Sequence, residues 1–252
     1  MTELQALRER YRSDKAALLA DLPTALAASH AIHEHLRKLS ALTDALLCDL
    51  GRRAGLPDNL ALVAVGGFGR SQLFPYSDVD VLLLVPGVVA TENAPTLCEK
   101  VEIFIQHCWD VGLEIGSSVR TISECLDESR RDVTVQTSLL EARWVCGNTA
   151  LFSDFQQQFR AQLDVQAFRV AKTLEMQQRH HKYEDTPYAL EPNCKESPGG
   201  LRDLQIILWM THAAGLGSTW QELAANGLVT PFEMRQIERN HAMLCLIRAR
   251  LH

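Results

Sequence analysis

The feature that most constrains the fold is a glycine-rich break between two apolar runs. The first run spans residues 60–65, and the break at 66–70 reads Gly-Gly-Phe-Gly-Arg. The second run, at 81–85, directly follows Asp-Val-Asp at 78–80. Short apolar runs bounded by turn residues indicate buried strands. The stretch therefore predicts a strand, a glycine turn with a short helical or irregular segment, and then a second strand.

The two carboxylates at the start of the second strand are the candidate metal ligands. Side chains alternate along a strand, so Asp78 and Asp80 are expected to project from the same face. Two carboxylates there can hold Mg²⁺, which favours a few protein oxygens together with substrate phosphates. Glycines let backbone amides approach a phosphate closely, so Gly66 and Gly67 are candidates for binding the β and γ phosphates of a nucleotide.

Each part of this pattern has a simpler interpretation. A Gly-Gly turn between strands is usually only a turn, and Asp-x-Asp is common on solvated strands. Here, however, the carboxylates begin a very apolar strand, where a charge is costly unless it is paired or bound to a metal. The combination therefore favours a site for a nucleoside triphosphate and its metal.

The pattern Gly-Gly-x-Gly-Arg-x4-Pro-x-Ser-Asp-x-Asp at 66–80 resembles the nucleotidyltransferase superfamily related to DNA polymerase β. More narrowly, it is similar to the N-terminal domain of the bacterial PII-protein uridylyltransferases. Stretches at 109–121, 137–143 and 191–203 carry the same resemblance, and the last is the most specific. Members of this family are far longer, with an HD phosphohydrolase domain and two ACT domains. The chain therefore looks like a truncation, an excised domain or a short relative.

The resemblance implies an α+β fold with a polymerase β-like mixed sheet and flanking helices. It implies an N-terminal helical region at 1–57, a nucleotidyltransferase domain at 58–148 and a helical domain, expected to be truncated, at 149–252. The implied reaction is the Mg²⁺-dependent transfer of UMP from UTP to a tyrosine of a PII nitrogen-regulatory protein, with release of pyrophosphate. Adenylyl transfer to another protein or a small molecule stays an alternative, as does a non-catalytic nucleotide-binding regulatory module.

A third metal ligand is expected from the alternating segment 113–120. In this superfamily a third carboxylate comes from a strand after a helix, and Glu114 is the candidate here. The alternative is a surface glutamate on an edge strand. Asp110 is a competitor, but it ends a helical pattern, which is a less suitable position.

Four further residues are candidates for binding the nucleotide. Arg70 would neutralise charge either on the triphosphate or within the domain, and Ser77 would bind a phosphate or shape the turn before Asp78. By resemblance, Lys195 and Arg202 would reach the triphosphate or the base. The alternative is that Arg202 and Asp203 only cap and brace the turn in which they lie.

Composition limits the classes of partner. The net charge of −6 gives no basic footprint for nucleic acid. Seven cysteines without a C-x-x-C spacing suggest reduced thiols in the cytoplasm. No apolar run approaches the length of a membrane span, and the first residues lack signal-peptide character, so no membrane partner is expected.

Local signals place several helices around the predicted strands. Helical periodicity predicts helices at 24–54, 95–111 and 149–185. Thr-Ile-Ser-Glu at 121–124 reads as a capping box that opens a short helix. Asp132 is expected to open another helix, which would end near Gly147.

Overall fold

The computed structural model describes residues 3–22, 28–87, 94–186, 188 and 193–251. The strands are β1 (Ala61–Ala64), β2 (Val79–Leu84), β3 (Ile115–Arg120) and β4 (Arg143–Gly147). The helices are α1 (Glu3–Ala20), α2 (Ala28–Arg53), α3 (Gly66–Gly69), α4 (Ala94–Asp110), α5 (Ile122–Arg131), α6 (Val133–Leu140), α7 (Thr149–Gln162), α8 (Val165–Lys182), α9 (Leu201–Ala213), α10 (Trp220–Ala225) and α11 (Pro231–Leu251). The α+β class is confirmed, as is the predicted order of strand, glycine turn and strand.

The four strands form one mixed sheet in the order β3-β2-β1-β4. Strand β1 is antiparallel to both β2 and β4, whereas β2 and β3 are parallel. A parallel pair requires a crossover connection, and α4 lies within it. The parallel register sets Asp80 directly opposite Gly116.

The sheet is buried at its centre. All four residues of β1 are buried, and in β2 only Asp80 is exposed. One face packs against α1, α2 and α4 in a single apolar cluster. Its most buried side chains include Leu47, Leu50, Leu62, Leu83 and Phe104. The hydrophobic burial of this face therefore fixes the position of both strands that carry the predicted site.

Helix α7 belongs with the sheet. It contacts β1, β4 and α5, and its phenylalanine rings follow one another with centroid distances of 6.1 Å (Phe152–Phe155) and 5.8 Å (Phe155–Phe159). The chain accordingly divides into two compact units, Met1–Leu22 with His35–Gln162, and Pro23–Glu34 with Leu163–His252. The first unit extends beyond the predicted domain at 58–148 on both sides. The reason is that α1, most of α2 and α7 pack with the sheet.

Strand β4 was not foreseen. The helix predicted to run from Asp132 to near Gly147 ends at Leu140, and residues 143–147 pair with β1 instead. Trp144 and Val145 are good strand formers, which is the local signal for a strand. The helix starts were correct, since Thr121 and Glu124 form a capping box and the Asp132 side chain accepts from the Thr134 amide at 2.6 Å.

The second unit is helical. Helix α9 contacts α8 and α11, and α10 contacts α11. The buried apolar side chains of this unit include Phe168, Leu201, Ile206, Trp209, Leu223 and Leu246. The predicted loop at 186–200 is described only at 186, 188 and 193–200, so Glu191 lies outside the described residues. No helix in the described part of the chain combines the length and the apolar character that crossing a membrane requires.

The close approach of backbone at Gly69 gives a test of the fold. A Cβ there would lie 2.2 Å from the carbonyl oxygen of Glu141 and 3.1 Å from that of Ala64. We expect Gly69→Ala to lower the free energy of unfolding by about 1–3 kcal/mol, because backbone must move to admit the methyl group. Urea denaturation measures this. The control is Gly87→Ala, where no described atom lies within 4 Å of the added methyl; equal losses would contradict the argument.

Candidate active site

The carboxylate of Asp80 lies between two glycines. A Cβ on Gly116 would be only 2.5 Å from Asp80 Oδ1, and a Cβ on Gly66 would be 3.6 Å from Oδ2. Gly116 therefore leaves the space on β3 that the carboxylate of the neighbouring strand occupies. The main chain is held nearby by a hydrogen bond from the Val65 amide to the Asp80 carbonyl, at 3.1 Å.

The glycine turn links β1 to the short helix α3. Gly66 has a φ of 58°, a left-handed conformation that glycine adopts without strain. Gly66 lies beside Asp80, and Gly67 follows it at the start of the four-residue α3. The predicted role of their amides in binding phosphate stays a prediction.

Asp78 and Asp80 lie at the same end of β2. Both side chains are exposed, while Val79 between them is buried. The segment before them turns back on itself, since the Ser77 amide donates to the Phe74 carbonyl at 3.1 Å. This turn directly precedes Asp78. The two roles expected for Ser77, binding a phosphate and shaping this turn, stay predictions.

Glu114 comes directly before β3, and its carbonyl accepts from the Val79 amide at 2.8 Å. Its side chain and Lys15 of α1 line a cavity of about 70 Å³ beside Ser77. Burial lowers the pKa of Lys15, and the charge of Glu114 partly offsets that effect. Among the described residues no three Asp, Glu, His or Cys side chains are grouped to hold a metal. The third-ligand role of Glu114 therefore stays a prediction.

Arg70 forms an ion pair inside the domain. Its Nη1 donates to Glu141 Oε1 at 2.5 Å and also to Oε2, and its Nε donates to Gln72 at 3.3 Å. The Glu141 side chain is only 5% exposed and that of Arg70 19% exposed. Of the two roles left open for Arg70, this geometry favours neutralising charge within the domain.

A second arginine, Arg143, hydrogen-bonds to the backbone of α3. Arg143 binds both carboxylate oxygens of Asp44, at 2.7 and 3.0 Å. It also donates to the carbonyls of Phe68 and Gly69, both at 3.2 Å. Sequence reasoning missed this pairing because Asp44 is remote in the chain and no local pattern marks it.

Lys195 and Arg202 lie in the other compact unit. Arg202 Nη2 is 3.1 Å from Glu196 Oε1, and Lys195 Nζ is 3.6 Å from the same oxygen. Asp203 accepts from the Gly199 amide at 2.7 Å, so it does brace the turn. The predicted role of Lys195 and Arg202 at the triphosphate stays a prediction.

Comparisons with known proteins agree with the resemblance. A family model described as GlnD PII-uridylyltransferase matches residues 167–252. The chain is 55% identical over 246 residues to the bifunctional uridylyltransferase/uridylyl-removing enzyme of Cupriavidus pinatubonensis, covering 98% of this chain and 27% of that protein. The protein of the same name from Burkholderia thailandensis is 54% identical over 245 residues, covering 97% of this chain and 28% of its own length.

These matches confirm the predicted resemblance. Nearly the whole chain is related to the N-terminal part of the bifunctional uridylyltransferase/uridylyl-removing enzymes. The chain spans little more than a quarter of the length of the relatives it matches.

Gly116 gives a test of how Asp80 is placed. We expect Gly116→Ala to displace the carboxylate and weaken Mg²⁺ binding at least tenfold, the range seen when groups that orient metal ligands are changed. The free energy of unfolding should change by less than about 1 kcal/mol, because a flexible carboxylate can move. Calorimetry and urea denaturation measure the two effects. Ser117→Ala is the control, since its side chain points to the other face of β3; unchanged Mg²⁺ binding in Gly116→Ala would refute this placement.

The Arg70–Glu141 pair predicts a loss of stability. Glu141→Gln should lower the free energy of unfolding by about 2–3 kcal/mol, because it leaves the arginine charge in a largely buried place. The matched control is Asp127→Asn, whose partner Arg130 is 61% exposed. That change should cost less than about 0.5 kcal/mol. Equal losses in thermal or urea unfolding would show that the Arg70–Glu141 pair does not brace α3.

Proposed function

We propose, on the premise of this relationship, that the chain transfers UMP from UTP to a tyrosine hydroxyl of a PII-type signal protein, with release of pyrophosphate. One observation carries the proposal: the carboxylate of Asp80 lies in the space left by Gly116, beside the glycine turn at Gly66. The carboxylate and the glycine turn proposed to bind phosphate thus lie close together at the end of a buried strand. The uridylyltransferase activity in the names of the relatives supplies the reaction.

The residues present fit the proposed Mg²⁺. Asp78 and Asp80 offer hard oxygen ligands at the exposed end of β2, and Gly116 keeps the space around one of them open. Mg²⁺ is commonly held by one or two carboxylates together with substrate phosphates, so a third protein ligand is not required. When bound, such ions stabilise charge on the attacking and leaving oxygens. Glu114 stays the candidate for a third ligand.

The chain's own groups would act on both substrates. The amides of Gly66 and Gly67 would donate to the β and γ phosphates of UTP. A carboxylate of Asp78 or Asp80 would accept the proton of the tyrosine hydroxyl. The tyrosine oxygen then forms a bond to the α phosphorus as the bond from that phosphorus to pyrophosphate breaks. Arg70, paired with Glu141, would keep the turn in place during this exchange.

The proposed compartment is the cytoplasm. All seven cysteines are free thiols, and two of them, Cys108 and Cys125, are buried with pKa values raised by that burial to about 12. Thiols of this kind persist in a reducing compartment, whereas secreted proteins commonly pair them. A PII-type signal protein would be met in the same compartment.

The test is the intact mass of a PII protein after incubation with the chain, Mg²⁺ and UTP. We expect a UMP-sized increase that Asp78→Asn and Asp80→Asn each reduce by at least about a hundredfold, as loss of a ligand to a catalytic metal removes several kcal/mol of stabilisation. Asp127→Asn is the control, because this exposed residue pairs with Arg130 on α5. Undiminished transfer by both site variants would refute the mechanism.

The same assay separates the alternatives. An AMP-sized increase with ATP, and none with UTP, would identify an adenylyltransferase. Binding of UTP without any transfer would identify a regulatory module. The transfer activity of Glu114→Gln tests whether Glu114 is the third metal ligand. Activity reduced as in Asp80→Asn supports that role, and unchanged activity excludes it.

A further inference from the structure

Strand β4 turns two side chains toward α2. In its antiparallel pairing with β1, Cys146 is opposite Leu62 and Arg143 is opposite Ala64. Residues directly opposite each other in such a pair share a face, and both Leu62 and Ala64 belong to the apolar cluster shared with α2. Side chains three residues apart normally point to opposite faces, but the register shifts between the two pairs. Arg143 and Cys146 therefore lie on the same face.

Helix α2 presents two matching residues to this face. Asp44 and Cys48 are one turn apart, so they lie on the same side of the helix. Asp44 binds Arg143 through both carboxylate oxygens, at 2.7 and 3.0 Å. Cys48 Sγ lies 3.9 Å from the carbonyl oxygen of Val145, and Cys48 and Cys146 pack against the same apolar cluster. The ion pair thus aligns α2 with β4, and the two thiols hydrogen-bond to each other.

The contact between the thiols makes them chemically unequal. The hydrogen bond from Cys146 lowers the pKa of Cys48, an effect that burial and the charge of Asp44 offset only in part. The same hydrogen bond, together with burial, raises the pKa of Cys146. The thiolate is the reactive form of cysteine, so Cys48 is the nucleophile of the pair. Both residues are partly exposed, so a small oxidant can reach them.

The other thiols differ from this pair. Cys108 and Cys125 are buried, and burial raises their pKa to about 12, which disfavours the thiolate. Cys98 is exposed on α4, while Cys194 and Cys245 belong to the other compact unit. Cys98 and Cys194 are accessible enough to serve as controls.

We propose that Cys48 and Cys146 form an oxidation site, at which a hydroperoxide produces a disulfide between α2 and β4. The Cys48 thiolate attacks one oxygen of the hydroperoxide and becomes a sulfenic acid as the O–O bond breaks. The other oxygen takes up the proton that Cys48 had released and leaves as water or an alcohol. The Cys146 sulfur then bonds to the Cys48 sulfur, and the sulfenic oxygen leaves as water with the Cys146 proton. The two thiols lose two electrons, which reduce the hydroperoxide.

This inference is independent of the proposed transfer of UMP. Disulfides in a reducing compartment are usually transient and redox-sensing, so the bond would form under peroxide and be reduced afterwards. It would close a loop of about a hundred residues, which restricts the unfolded chain. It would also lie one helical turn from the Asp44–Arg143 pair, whose arginine binds the backbone of α3.

The test treats the full reduced chain with hydrogen peroxide, alkylates the remaining thiols and maps the disulfides by mass spectrometry of peptides. We expect a peptide that joins Cys48 to Cys146 and that dithiothreitol removes. The midpoint of thermal unfolding should rise by about 5 °C or more on oxidation, because the unfolded chain is restricted. Cys48→Ser and Cys146→Ser should each abolish both effects, whereas Cys98→Ser and Cys194→Ser should leave both in place.

Several results would overturn the proposal. One is alkylation of Cys48 and Cys146 that is as complete after peroxide as before it. Others are a disulfide that joins either residue to a different cysteine, and oxidation of Cys48 to sulfinic acid while Cys146 stays a thiol. A midpoint that rises equally in Cys48→Ser would also contradict it. The reduced and oxidised forms of the unaltered chain are compared directly, so the result does not depend on the folding of a variant.

Discussion

The structure depends on how a charged side chain is accommodated on a buried strand. Every residue of β2 except Asp80 is buried, and the exposed Asp80 carboxylate needs room beside the neighbouring strand. Gly116 opposite it on β3 provides that room, and Gly66 lies beside it. The parallel pairing of β2 with β3 is thus as important to the site as the aspartates themselves, since another register would set a side chain against the carboxylate.

Much of this could be predicted from the sequence. Residues 60–85 carry their structure locally, because apolar runs, glycines and alternation all agree, and the strands and the turn followed from them. The α+β class was expected from the family resemblance. Strand β4 could not be recognised as easily, because its five residues follow a helix and are defined by their pairing with β1. The end of α6 at Leu140 is set by that pairing and not by a local stop signal.

The partners of charged residues were the least predictable. The position of Arg70 after the glycines left open a role at the triphosphate or within the domain, and its guanidinium contacts Glu141 across the fold. Arg143 meets Asp44 in the same way. Such pairs depend on tertiary contacts between distant segments, so a single sequence offers no spacing that reveals them.

The two arginine pairs around α3 also change how the glycine turn would respond to a ligand. A loop rich in glycine normally loses much conformational entropy when it becomes ordered. Here Arg143 donates to the carbonyls of Phe68 and Gly69, and the Gly66 carbonyl accepts from the Arg70 amide. These hydrogen bonds hold the backbone of the turn. Folding has therefore already removed most of that freedom, so the proposed binding of a phosphate would lose little free energy in ordering the turn.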